Sequence, residues 1–200
     1  SGEGRGDGFI QVNRLLANNP DKAASLRAMQ SLAEPYPNLA QARFAVAASA
    51  AGAGQDEIAL KEIRAASQLK PDWELAALFE AQLLQKKSNA AASERLAQYL
   101  KEYPKSREVR LAYARTLVGD KKYPEARLEF ERLVKEYPDN TDVVFSVAVL
   151  SMQLEDWPVA ESNLKRLLDL GYRDRNAVRF YLGQVSEEQK RFPDALQWYS

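Results

Sequence analysis

The chain has 200 residues, 46% of them hydrophobic and 28% charged, with 28 lysines plus arginines balancing 28 aspartates plus glutamates. That length and composition suit one or two packed domains, and a zero net charge without a basic run argues against nucleic acid or an anionic membrane as partner. The absence of cysteine excludes disulfides, thiolate metal sites and thiol catalysis, and the absence of histidine removes the commonest acid–base group and metal ligand.

Residues 1–8, SGEGRGDG, lack apolar periodicity and are expected to form a flexible tail. Arg5–Gly6–Asp7 spells a cell-adhesion tripeptide, but a glycine-rich terminus is the simpler account. No apolar stretch approaches the roughly 18–20 residues that span a bilayer, so this segment is expected to make no membrane contact. The chain starts at Ser1 rather than methionine and stops at Ser200 inside a helical pattern, which leads us to expect an excerpt of a longer protein.

From Phe9 onward the chain repeats. Pro37, Pro71, Pro104 and Pro138 are spaced 34, 33 and 34, and KEYP occurs at both Lys101–Pro104 and Lys135–Pro138. Small residues recur at the same interval at Ala47, Ala81, Ala114, Ala148 and Gly183, and again at Ala59, Ala92, Ala126, Ala160 and Ala195. A large apolar ladder runs through Met29, Ile63, Leu96, Phe130, Leu164 and Tyr199. One period shared by four ladders predicts stacked helix–turn–helix repeats. Their bounds fall near 9–38, 39–72, 73–105, 106–140, 141–174 and 175–200, with the last pair incomplete. In the 106–140 repeat, Val109, Tyr113, Ala114 and Leu117 mark one helix and Ala126, Phe130 and Leu133 the next. Pro124, Pro158 and Pro193 open second helices, where a missing N–H costs nothing, and Lys135 and Pro138 close one.

Repeats of 34 residues with small residues in both helices, an aromatic before the second helix (Tyr123, Trp157, Phe192) and a terminal proline resemble the tetratricopeptide repeat (TPR). The resemblance is best over Leu39–Asp174, with GDKKYPEA at Gly119–Ala126 and LEDWPVA at Leu154–Ala160. It implies an all-α, right-handed TPR solenoid of about six helix pairs. Four departures stand out: Arg110 where the family often has tryptophan, Tyr172 in place of the terminal proline, Asn13 in place of a small residue, and a turn one residue short in the Trp73 repeat.

Catalytic motifs are absent. SxxK at Ser67–Lys70 and Ser162–Lys165 lacks the KTG-type element that serine–lysine acyltransferases need, and Gly2, Gly4, Gly6 and Gly8 neither follow a strand nor precede Gly-Lys-Ser/Thr. No catalytic residue, cofactor or metal is expected.

The TPR resemblance further implies that first helices line a concave surface that takes a segment of a partner protein. By three- and four-residue steps the facing stripe in the 106–140 repeat is Glu108, Leu111, Arg115 and Val118. Equivalent stripes place Phe44, then Leu78 and Gln82, then Phe145, Val149 and Met152, then Phe180 and Gln184 on the same face. The rung Phe44, Leu78, Leu111, Phe145 and Phe180 is apolar throughout. It either meets a ligand or leans into the core between repeats, and burial decides between these. With Arg115 as the lone cation, the carboxylate clamp of chaperone-binding TPR domains is not expected; an apolar and amide-contacted segment fits better.

The expected function is a non-catalytic scaffold or adaptor. The opening Phe9–Leu26 also resembles TPR lipoproteins of Gram-negative cell envelopes, which implies a periplasmic, outer-membrane-tethered adaptor that gathers proteases or wall hydrolases. An accessory region of a larger enzyme or regulator, and a purely structural or oligomerising repeat, are the alternatives. Leu196, Trp198 and Tyr199 lie on a helix without its following neighbour, which leads us to expect fraying or self-association there.

Overall fold

The computed structural model describes residues 2–200, which form twelve α-helices and no strand. The helices follow one another as six pairs. These are α1 (Gly2–Ala17) with α2 (Lys22–Ala33), α3 (Ala40–Gly52) with α4 (Asp56–Leu69), and α5 (Glu74–Gln85) with α6 (Asn89–Glu102). Then come α7 (Arg107–Gly119) with α8 (Tyr123–Glu136), α9 (Thr141–Gln153) with α10 (Trp157–Asp169), and α11 (Arg175–Glu188) with the eight-residue α12 (Phe192–Tyr199). The fold is an all-α solenoid of repeated helix pairs. Its residues form two compact halves, one ending at Val109 and the other spanning Arg110–Ser200, so the division falls inside α7. No helix among the described residues is long and apolar enough to cross a membrane.

Local chemistry sets the helix limits. Asp21, Ser88, Asn140 and Asp174 cap helix N-termini, each side chain accepting from the backbone N–H three residues on. Proline sits in the first turn of α8, α10 and α12. Lys70, Tyr103 and Tyr137, each preceding a proline, leave the helical region with φ of −138°, −125° and −128°. The following pyrrolidine ring bars them from it, which is how KEYP ends a helix.

In four of the six pairs the turn within the pair has its own signature. Gly54, Lys121, Glu155 and Lys190 take left-handed φ of 73°, 58°, 58° and 57°. The next residue then donates to the carbonyl five back, as Lys122 N–H does to Leu117 O at 2.9 Å and Asp156 N–H to Ser151 O at 2.8 Å. The shorter turn after α5 has no such residue; there the N–H groups of Lys87 and Ser88 both reach Leu84 O at 2.9 Å. A Cβ on Gly54 would meet no atom within 4 Å, so Gly54→Ala is opposed by the backbone alone. It should cost about 1 kcal/mol, read as a lower urea midpoint.

One expectation is corrected. Gly2–Gly8 is the start of α1, not a flexible tail; Ser1 lies outside the described residues. One of the glycines that suggested a tail, Gly6, lets the helix dock. Gly6 is buried, and a Cβ on it would come 2.8 Å from the Gln41 side chain of α3. Arg5 lies 5.7 Å from the Tyr36 ring centroid, and Phe9 meets the same ring edge-on at 5.7 Å. The adhesion-like tripeptide is therefore helical, with its middle residue packed. Asn13 is explained as well: its side-chain Oδ1 accepts from Ser49 Oγ at 3.1 Å, tying α1 to α3.

In the half ending at Val109 the core collects Leu26, Met29, Ala47, Ala59, Leu60 and Ile63, with Trp73 and Phe79 packed against it. In the other half, Ala114, Ala126, Phe130 and Leu133 form one cluster and Ala148, Ala160, Leu164 and Leu167 another. Small residues oppose large ones across each pair. At the last pair the small position shrinks to Gly183, because the opposing ladder residue is Tyr199, whose ring carbon would lie 2.1 Å from an added Cβ.

Ion pairs staple the helices where tryptophan is missing. Arg110 Nη1 meets Glu129 Oε2 at 2.5 Å, both nearly buried, and Arg43 Nη1 meets Glu62 Oε2 at 3.0 Å at the equivalent positions one half earlier. In the intervening repeat, buried Glu80 is shared by Arg64 at 3.0 Å and Arg95 at 2.6 Å. Glu161 receives both Lys165 and Arg191 at 2.6 Å. Burial alone would raise its pKa, but the two cations outweigh that and hold it below the usual carboxylate value. Its contribution is complete above the unfolded-state pKa and is lost as pH falls through the depressed folded value. A pH series of melts should therefore show Glu161→Gln losing most relative to wild type at neutral pH and converging with it in acid.

Candidate partner-binding site

The first helices expose one stripe each, and the two halves present it differently. In the half ending at Val109, Phe44 is half-buried, its ring 4.9 Å from that of Trp73 and 5.4 Å from that of Phe79. Leu78 is half-buried and Gln82 exposed. Ala48 and Ala51, further along the same stripe of α3, are half-buried as well.

In the half beginning at Arg110 the stripe deepens into a depression of about 280 Å³ between α7 and α9. Arg115 and Val118 form one wall, Phe145, Ser146 and Val149 the other, with Phe130 and Leu150 lining the floor. Four of these seven, Arg115, Val118, Phe145 and Val149, are residues expected from sequence to face a partner. Arg115 is exposed, and Val149 is 38% exposed although its neighbours Ala148 and Leu150 are buried. The only hydroxyl in the lining is committed: Ser146 Oγ donates to Asp142 O at 2.9 Å.

The remaining stripe residues lie elsewhere. Leu111 and Met152 are half-buried against the two core clusters, and Gln184 is half-buried on α11. Phe180 is 53% exposed, with its ring 5.8 Å from that of Tyr199 and 6.2 Å from that of Tyr181. None of the five apolar rungs is fully buried, so each divides its surface between core and solvent.

Besides Ser146, three lining or supporting residues escaped the helical stripe. Phe130, from the large apolar ladder, and Leu150, a buried core residue of α9, reach the depression from beneath. Tyr172, in the turn after α10, stacks on Phe145 at 5.3 Å with an interplanar angle of 12°. It stands where other repeats carry proline; here Gly171, at φ 73°, ends the helix instead, and Tyr172 N–H closes on Leu167 O at 2.9 Å. That departure from the repeat pattern was the available signal. The SxxK pairs bring no serine and lysine together: Lys165 Nζ is on Glu161, and Lys70 Nζ lies 5.5 Å from the Trp73 ring centroid.

Two family models of the tetratricopeptide repeat match the chain, over residues 83–148 and 148–200. No curated protein is significantly similar to it in sequence. Among solved structures it is similar to PilF of Pseudomonas aeruginosa, at TM-score 0.67 and 16% identity over 98% of this chain and 90% of that one. It is also similar to YrrB, described as a TPR protein with an unusual peptide-binding site, at TM-score 0.69 and 14% identity over 86% and 88%. A third is MamA from Desulfovibrio magneticus RS-1, at TM-score 0.66 and 14% identity over 80% and 90%. At these identities the likeness concerns the fold. With the repeat period, the turn signature and both family matches in agreement, the chain belongs to the tetratricopeptide-repeat family.

Proposed function

We propose that the chain is a non-catalytic interaction scaffold that holds a segment of another protein along the exposed face of its first helices. The observation that carries this is the apolar depression between α7 and α9, where Val149 is left accessible between buried neighbours. Exposed apolar surface that is concave and contiguous is characteristic of docking sites. The peptide-binding site named for YrrB supports the same use of a TPR scaffold.

Val149 is the informative position to change. Phe145 is stacked on Tyr172, so an aspartate there would disturb packing as well as the surface. Val149→Asp should keep the fold yet lose, about tenfold or more, the partners that wild type recovers from the source organism's lysate. Leu128→Asp, at an exposed site on α8, should recover them unchanged. Equal recovery by Val149→Asp would remove this face from the binding surface.

A further inference from the structure

We infer that the depression between α7 and α9 selects a linear segment in which one bulky apolar side chain is accompanied, within a few residues, by the side-chain carboxylate of an internal Asp or Glu. This rests on the partner-binding role proposed above and adds the chemistry of the occupant. The lining offers Val118, Phe130, Phe145, Val149 and Leu150 to an apolar group, and its volume of about 280 Å³ suits a side chain rather than a whole helix.

The margin supplies the second element. Arg115 is the only charged residue of the lining, is exposed, and has no carboxylate partner among the described residues. Elsewhere in the same half, Arg110, Arg127, Arg132 and Arg191 are each engaged by an aspartate or glutamate and Arg166 and Arg175 by backbone carbonyls, while the exposed Arg173 and Arg179 lie outside the depression. A guanidinium held unpaired beside apolar surface complements an anion, and its planar fork matches a carboxylate with two parallel hydrogen bonds. A chain-terminal carboxylate fits less well. Termini are held by several convergent donors, whereas the one hydroxyl here is already given to Asp142 O. One guanidinium beside an apolar depression therefore calls for one side-chain carboxylate beside an apolar anchor.

Selection from a display library of random dodecapeptides, fused through their C-termini so that no terminal carboxylate is presented, tests this on wild type, Arg115→Glu and Val149→Asp. Both substituted positions are exposed, so the variants should keep the fold. The wild-type consensus should pair a bulky apolar residue with Asp or Glu. Arg115→Glu should keep the apolar residue and exchange the acidic one for Lys or Arg. An amidated synthetic peptide of the wild-type consensus should bind Arg115→Glu about tenfold or more weakly, and bind wild type less tightly as salt rises. An apolar consensus without charge preference, or one unchanged in Arg115→Glu, overturns the acidic requirement and leaves the docking role standing. A wild-type selection that enriches nothing beyond the Val149→Asp selection overturns both.

Discussion

Leu164→Ala should destabilise the half spanning Arg110–Ser200 by about 2–5 kcal/mol. Leu164 is fully buried in α10, in the cluster that contains Ala148, Ala160, Leu167 and Leu182 from three successive helices. Truncation removes the transfer free energy of three carbons and leaves a cavity among side chains that are themselves packed in place, so the site closes only in part. Trp157 and Trp198 pack against this cluster, so tryptophan fluorescence during urea unfolding reports on it. Unfolding of repeat proteins is not always two-state, so the comparison belongs at the midpoint of that signal, with the slope checked for constancy. A midpoint within error of wild type would show that Leu164 does not bear the core.

The opposite error in volume should also be costly. Ala114→Leu should lower stability by about 1–3 kcal/mol, because Ala114 is fully buried on α7 in the same cluster as Ala126 and Phe130 of α8. The geometry at the equivalent glycine shows how little room such a position has: even a methyl on Gly183 would need the Tyr199 ring to move. Phe130 likewise is held in the middle of α8. A thermal melt of Ala114→Leu no lower than wild type would count against alanine as the spacer between the helices.

Much of this architecture was legible without coordinates. The period, the six pairs and the identity of the small and large ladders follow from local requirements: proline ends or opens a helix, alanine lets backbones approach, and a leucine or phenylalanine fills the space opposite. These requirements recur in every pair, so the pattern accumulates along the chain. Four of the residues expected on the first-helix face line one depression. Which rungs would stay accessible was not legible, because a residue on the edge of a helical stripe is covered or left open by its neighbours. Phe145 is half-covered by Tyr172 from a turn, and Phe44 by Trp73 and Phe79.

By itself, the sequence determined the repeat, the helix limits set by proline and the absence of cysteine and histidine chemistry, since each depends on residues close together in the chain or on composition. Tertiary structure decided the rest. It drew Gly2–Gly8 into a helix by docking Gly6 on α3, and it matched Arg110 with Glu129 in place of a packed tryptophan. It also left Arg115 unpaired beside an apolar depression. The reason is common to all three: docking, pairing and exposure depend on the distance between surfaces of different helices, and that distance exists only once the helices have packed.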